Sequence, residues 1–385
     1  MLKRIAIFTA AVMLVMMVPS SVMAKDKRID PNLVRAAALA SGLDSLRNTE
    51  IPGVDLSEFI KDGANDKLVA LGKALFWDMQ VGSDGQACAS CHFAAGADSR
   101  SLNQLNPGFK AGDNAFGEGF GPNYQLTEED FPLHLLEDAE EEDYDLKVVL
   151  QDTNDVVSSQ GVFNEAFVGV VPGALLDEGT DNPGSPNTVF EGNRNVEPRN
   201  TPTTINALWN HSNFWDGRAH NLFNGSSPIG PLDDTAGIWV VVDGEVTFDG
   251  NVRIPNSSLA SQAVGPPLSD LEMSFAGRTW PDLGRKLLTA RPLQYQEVSP
   301  NDSVLGRYAR QRVKWLWANV SQEAQYDTQC IPGWPNRQGR KGLNVESYAK
   351  LVEAVFQEQY WASGAMVGDY TQAEGNFSLF FGLAV

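Results

Sequence analysis

Apolar residues recur along this chain with several periods, and each period predicts a different element. Ile5 to about Val18 is an almost unbroken apolar run behind Lys3 and Arg4, followed by Val22-Met23-Ala24. The spacing is helical over Pro31–Leu46, Asp66–Phe76, Trp280–Thr289, Val304–Asn319 and Val345–Ala362. Phe93 to Arg199 is rich in Gly, Asn, Pro and acid, and there only short helical pieces such as Asn164–Val168 are expected. Ile238 to Phe248 alternates β-formers around an Asp-Gly pair and predicts a hairpin. The stretch Glu374–Val385 reads as the opening of an apolar helix with no C-cap, basic last turn or polar tail. A chain ending there would expose a cluster of large apolar side chains, so the expectation is a fragment of a longer protein. No internal repeat is visible.

The first apolar run is shorter than the roughly 20 residues a spanning helix requires. With its basic front and small residue at Ala24 it predicts an export signal over residues 1–24, cleaved there. No later segment is long and apolar enough to cross a bilayer.

Cys88-Ala-Ser-Cys91-His92 is the chemistry-bearing motif. A C-x-x-C-H run attaches haem c: two thiols three residues apart reach the two porphyrin vinyl groups, and the adjacent imidazole becomes the proximal iron ligand. The alternatives are a zinc half-site and a dithiol redox pair. A structural zinc wants four N/S ligands, and beyond the motif the chain offers only isolated Cys330, His134, His211 and His220. A redox dithiol needs no adjacent His. Export and haem c point to one compartment, the periplasm. Cys330 is then left without an internal partner, as a buried small hydrophobe or, alternatively, an intermolecular bridge.

Composition narrows the partners. Removing the signal leaves 385 − 24 = 361 residues, enough for two domains or one heavily decorated one. The net charge of −20 includes Lys3 and Arg4, so the cleaved chain stands at −20 − 2 = −22. Such a surface disfavours nucleic acid and anionic lipid and favours a basic partner, such as a small cationic electron carrier. The acidic run Glu137–Asp145 reads as a solvated face or mobile insertion.

Four segments, in order, resemble the bacterial di-haem cytochrome c peroxidases and the related MauG enzymes. They are Leu71–Asp78 with Gly82–Gly85 and Cys88–His92; Asn200–Asn206; Phe214–Arg218; and Gln262-Ala-Val-Gly-Pro266 with Glu272-Met273. The resemblance covers about Asp66–His92, Arg199–Arg291 and the final helix. It implies that Glu272 is a distal acid/base, that Gln262 bonds peroxide or water, and that Pro266 shapes the pocket wall. It also implies that Trp215 stands between two haems and that Asn206 is a calcium ligand. Arg218 would steady a haem propionate or cap local structure through Asp216. The alternative for Glu272 is a surface residue before a helix; for Trp215 it is core packing.

Two departures stand out. Many members carry a blocking His before the Asn-Thr-Pro-Thr segment, whereas Gly192–Arg199 has none. The chain also holds one C-x-x-C-H where the family has two, so a second haem is expected in the full-length protein. The expected architecture is a mainly α, cytochrome c-like haem domain over 25–300, with long loop insertions at 93–198 and 221–260 and a small β-hairpin. Residues 301–385 would form a helical region leading into a second haem domain. The expected activity is periplasmic reduction of hydrogen peroxide with electrons from a small cytochrome or cupredoxin; a homodimer is a further expectation. MauG-like oxidation of a protein or small molecule is the alternative enzyme. A plain electron-transfer cytochrome is the other alternative, with Met79, Met273 or Met366 as sixth ligand.

Overall fold

A computed structural model describes residues 30–42, 48–93, 98, 100–108, 114–138, 143, 147–313 and 337–385. The export signal, Cys330 and most of the acidic run Glu137–Asp145 lie outside the described residues. Met1–Pro52 and Gly53–Val385 are two separate compact units. In the first, Pro31–Ala40 forms helix α1, whose Asp30 cap accepts from the Asn32 amide at 2.8 Å. It stops short of the predicted Leu46 because Gly42 takes φ +86°, a left-handed conformation that ends a helix.

The larger unit contains helices α2 Asn65–Trp77, α3 Cys88–Cys91, α4 Ser258–Ala263, α5 Trp280–Leu288, α6 Tyr348–Val355, α7 Gln372–Gly375 and α8 Phe377–Ala384. Its core forms where α2, α5, α6 and α8 bring Leu71, Leu75, Leu283, Leu287, Val355 and Phe380 together. Phe356 and Phe380 pack with ring centroids 4.6 Å apart, and Trp280 meets Phe381 at 5.3 Å. The close pairing of α2 with α8 depends on Gly72, where an added Cβ would lie 1.7 Å from the Ala384 carbonyl oxygen. The apolar side chains of α8 are therefore buried, not exposed as the sequence pattern implied. Helix α5 starts at a reciprocal cap: Thr279 and Asp282 bond each other's backbone amides at 3.4 and 3.0 Å.

The expectation of a mainly α fold is overturned. Among the described residues fourteen strands form seven antiparallel two-stranded ladders, and no helix exceeds 13 residues. Eight strands fall inside the 93–198 segment read as loop: β1 Leu105–Asn106, β2 His134–Leu136, β3 Val149–Asp152, β4 Val156–Val157, β5 Gln160–Phe163, β6 Glu165–Gly169, β7 Glu178–Asp181 and β8 Arg194–Val196. The piece Asn164–Val168, expected to be helical, is thus largely strand, with Phe167 opposite Gly179. The predicted hairpin is present as β9 Ile238–Val242 and β10 Glu245–Asp249, turning at Asp243-Gly244, both with positive φ. Within the predicted helix Val304–Asn319, residues 304–313 instead hold a 3-10 turn, Gly306–Tyr308, leading into β11 Ala309–Val313, which pairs with β12 Arg337–Leu343, while residues 314–319 lie outside the described residues. The last ladder joins β13 Met366–Val367 to β14 Tyr370–Thr371. No helix among the described residues is long and apolar enough to cross a membrane.

One buried ionic cluster fastens these pieces. The Asp177 carboxylate meets Arg278 at 2.8 Å and Lys286 at 2.7 Å, with all three side chains at 0 % exposure. Lys286 also donates to the Gly82 carbonyl at 3.0 Å, and Arg278 to that of Pro267 at 2.5 Å. Removing one partner of a buried ion pair leaves a charge that water no longer compensates. Asp177→Asn should therefore lower stability by about 3–5 kcal/mol in urea unfolding. A loss below about 1 kcal/mol would show that the two cations are held by other groups.

Candidate functional site

The segment after α2 is a chain of tight turns. Gly82 donates to the Gln86 carbonyl at 2.8 Å, and the Ala87 amide donates to Ser90 Oγ at 2.9 Å, starting the single turn α3. The His92 amide closes that turn on the Cys88 carbonyl at 3.0 Å. Cys88, Cys91 and His92 all line one cavity of about 260 Å³.

The same cavity is lined from α4 by Leu259, Gln262 and Ala263, from the following 3-10 turn by Pro266, and then by Glu272 and Met273. That last turn is wound on Ser269, whose carbonyl accepts from the amides of Glu272, Met273 and Ser274 at 3.2, 3.0 and 2.9 Å. Pro202, Thr203 and Thr204, from the Asn-Thr-Pro-Thr segment, complete the wall. Sequence reading singled out Cys88, Cys91, His92, Gln262, Pro266 and Glu272, and the fold brings these six together.

Enclosure sets the protonation of these groups. Burial, with the Pro202 carbonyl opposing it, pulls the His92 imidazole below its ordinary value, so the neutral ring is favoured. His92 Nδ1 lies 3.0 Å from that carbonyl, which fixes Nδ1 as the protonated nitrogen and leaves Nε2 as the basic one. Burial pushes the Cys88 thiol up to about 12 and Cys91 up to about 11, each reinforced by the charge of Glu272. Glu272, half-buried by area because it faces the cavity, is pushed up to about 7 by burial, with Arg218 opposing.

The donor set fits haem c. Two unbridged thiols and an imidazole with its Nε2 free share one cavity wall, and a metal-binding His is typically oriented by a backbone carbonyl on its other nitrogen. A network behind the wall steadies this turn: Arg100 donates to the Ser90 carbonyl at 3.1 Å and pairs with Asp98, which accepts from Ser159 at 3.0 Å.

Other candidates lie outside the cavity lining. Trp215 is 70 % exposed, its ring covered by the Arg199 guanidinium at 4.3 Å. Arg218 pairs with Asp216 at 3.0 Å and lies 4.0 Å from the centroid of the Phe214 ring. Asn206 is exposed, in left-handed conformation, and opens a 3-10 turn. His134 is on strand β2 and His211 is exposed; His220 Nδ1 accepts from the Leu222 amide at 2.9 Å. Of the three methionines only Met273 lines the cavity.

One residue was missed. Glu197 follows β8, and its Oε1 is buried with no hydrogen-bond partner among the described residues. Its carboxyl is pushed well above the ordinary carboxylate range by burial first, then by the charge of Glu272. It is the one acidic residue in Gly192–Arg199, a segment read only for the absence of histidine.

One cavity thus gathers paired thiols, an imidazole whose neutral form is favoured and an enclosed carboxyl. Comparison with protein families finds one likeness: residues 175–328 match the model of the di-haem cytochrome c peroxidases. The match takes in Glu197, Asn206, Trp215, Arg218, Gln262, Pro266 and Glu272; Cys88–His92 precede it and join it through the fold. No curated protein and no solved structure matches the chain.

Intact mass should show one haem added to the chain. In Cys88→Ala with Cys91→Ala the haem should be lost on acid–acetone extraction; haem that stays bound would show that these thiols are not the attachment points.

Proposed function

We propose that this protein is a periplasmic haem c-dependent peroxidase that reduces hydrogen peroxide with electrons from a small redox protein. The observation that carries this reading is the meeting of Cys88, Cys91 and His92 with Gln262, Pro266 and Glu272 around one cavity. Haem c would supply a redox-active iron that passes electrons to peroxide. Cys88 and Cys91 would tether it, and His92 would offer Nε2 while its Nδ1–H stays on the Pro202 carbonyl.

The remaining steps belong to this chain's side chains. Glu272, pushed up to about 7, is divided between base and acid near neutral pH. As carboxylate it takes a proton from one peroxide oxygen; as acid it returns that proton to the departing oxygen. Gln262 would orient peroxide through its amide, and Pro266 with Leu259, in the same lining, would limit competing water. The net charge of −20 favours a basic electron donor.

Met273, buried and in the same lining, gives the electron-carrier alternative its one structural support. Absorption and EPR spectra of the oxidised holoprotein separate the two. A low-spin haem indifferent to peroxide would replace the peroxidase with an electron carrier.

Glu272→Gln should lower peroxide turnover by about 10²–10⁴, the usual worth of a positioned acid/base group, with haem content unchanged. Because the carboxylate is the proton-accepting form, wild-type turnover should rise as pH passes upward through about 7. Normal turnover in the Gln variant would remove Glu272 from the mechanism.

A further inference from the structure

Strand β5 lies directly on the turn that carries Glu272. An added Cβ at Gly161 would come within 1.8 Å of the Leu271 carbonyl oxygen and 2.9 Å of that of Glu272. Strand β8 pairs with β5, Val196 opposite Gln160, and Asn195 donates to the Asp270 carbonyl at 2.7 Å. Glu197 follows at once, its amide donating to the Ser159 carbonyl at 3.0 Å. This packing sets the Glu197 carboxyl beside the Glu272 turn, with its Oε1 buried and unpartnered.

The groups facing the pair are few. Glu272 and Asp270 bring negative charge to Glu197, while Arg199 and Arg218 oppose it. Cys88 and Cys91 face Glu272 from α3. A buried carboxylate without a hydrogen-bond donor is costly, and two beside each other are costlier, so such a pair holds a proton. Arg218, half-exposed with 45 % of its side chain in solvent, marks a way out of this region.

We propose that Glu197 is a second proton carrier of this site, sharing one proton with Glu272 and passing protons between that carboxyl and solvent. The proposal rests on the peroxidase reading above. Reduction of H2O2 consumes two electrons and two protons and yields two waters. Glu272 moves one proton between the peroxide oxygens as their bond breaks, releasing the first water. The other oxygen leaves as the second water, after two electrons from the donor protein and two protons from solvent. Those protons arrive by way of Glu197: its acid form protonates the Glu272 carboxylate, and solvent restores the acid.

Infrared titration of the haem-loaded protein counts protonated carboxyls, so it reads the pair independently of turnover. At a pH where Glu272 has lost its proton, the wild type should keep one protonated-carboxyl band that Glu197→Gln lacks. In Glu272→Gln, where the neighbouring charge is gone, that band should disappear at lower pH than in the wild type. Turnover in Glu197→Gln should fall about tenfold or more with haem content unchanged, and Glu197→Asp should keep the band and most of the rate. A band that survives in Glu197→Gln overturns the proposal, as does its loss with turnover unaltered. If Glu197→Gln does not load haem, the other two variants decide, and a band indifferent to both overturns it. Absence of peroxide turnover in the wild type would instead refute the peroxidase reading, while the carboxyl count would still show whether the proton is shared.

Discussion

The geometry of the cavity depends on two cations buried against one carboxylate. Arg278 and Lys286 both close on Asp177, away from water. Each also donates to a carbonyl at the edge of the site: Lys286 to Gly82, ahead of the Cys88 turn, and Arg278 to Pro267, beside Pro266. The Asp177 amide in turn donates to the Ser83 carbonyl at 2.7 Å. Burial depresses the proton affinity of both cations, and Asp177 counters it. An arrangement of this kind is a poor source of net stability but a strict geometrical constraint, because each polar atom is costly in any other position. It locks the thiol-bearing turn and the distal wall to one point.

A second constraint follows from how closely the backbone segments approach. Gly161 lets β5 rest on the Leu271–Glu272 turn with no side chain between them. Gln86 and Arg194 both donate to the Gly161 carbonyl, at 3.2 and 2.8 Å, and Arg194 pairs with Asp84 at 2.7 Å. The β5–β8 ladder therefore packs behind the Glu272 turn, outside the cavity lining, and this contact helps to remove Glu272 and Glu197 from bulk solvent. Desolvation is the leading cause of the upward shift at both carboxyls. The acid strength of the site is thus set by the insertion as much as by the motif that carries Glu272.

What was legible in the sequence follows from range. Cys88–His92 and the Gln262–Met273 spacing are short motifs whose chemistry is written in neighbouring residues, and the fold joins them in one cavity. The hairpin Ile238–Phe248 was legible because alternation and an Asp-Gly turn act locally. The ladders of 93–198 were not. Most are two to four residues long and pair segments far apart, as Leu105 does with Val157, leaving no run long enough to show a period. Val304–Asn319 misled for the opposite reason: its spacing is helical, but Ala309–Val313 is taken up by pairing with Arg337–Leu343. The Asp177 cluster and the burial of Glu197 arise only from contacts across a hundred residues or from strand packing, where sequence carries no local mark.

An enclosed acid/base site faces two opposed demands. Water must be kept out for a carboxyl to titrate near neutrality, yet protons must reach it once per turnover. A single buried glutamate meets the first demand and works against the second, because every barrier that raises its pKa also slows its exchange. Glu272 faces the cavity, and Glu197 stands behind it under the opposing influence of Arg199 and Arg218. Arg199 is in turn stacked on the exposed ring of Trp215. Arg218 reaches both carboxyls and Arg199 reaches Glu197, so the cations stabilise whichever carboxyl is charged. With 45 % of its side chain in solvent, Arg218 leaves the enclosed pair one neighbour from the side where solvent begins.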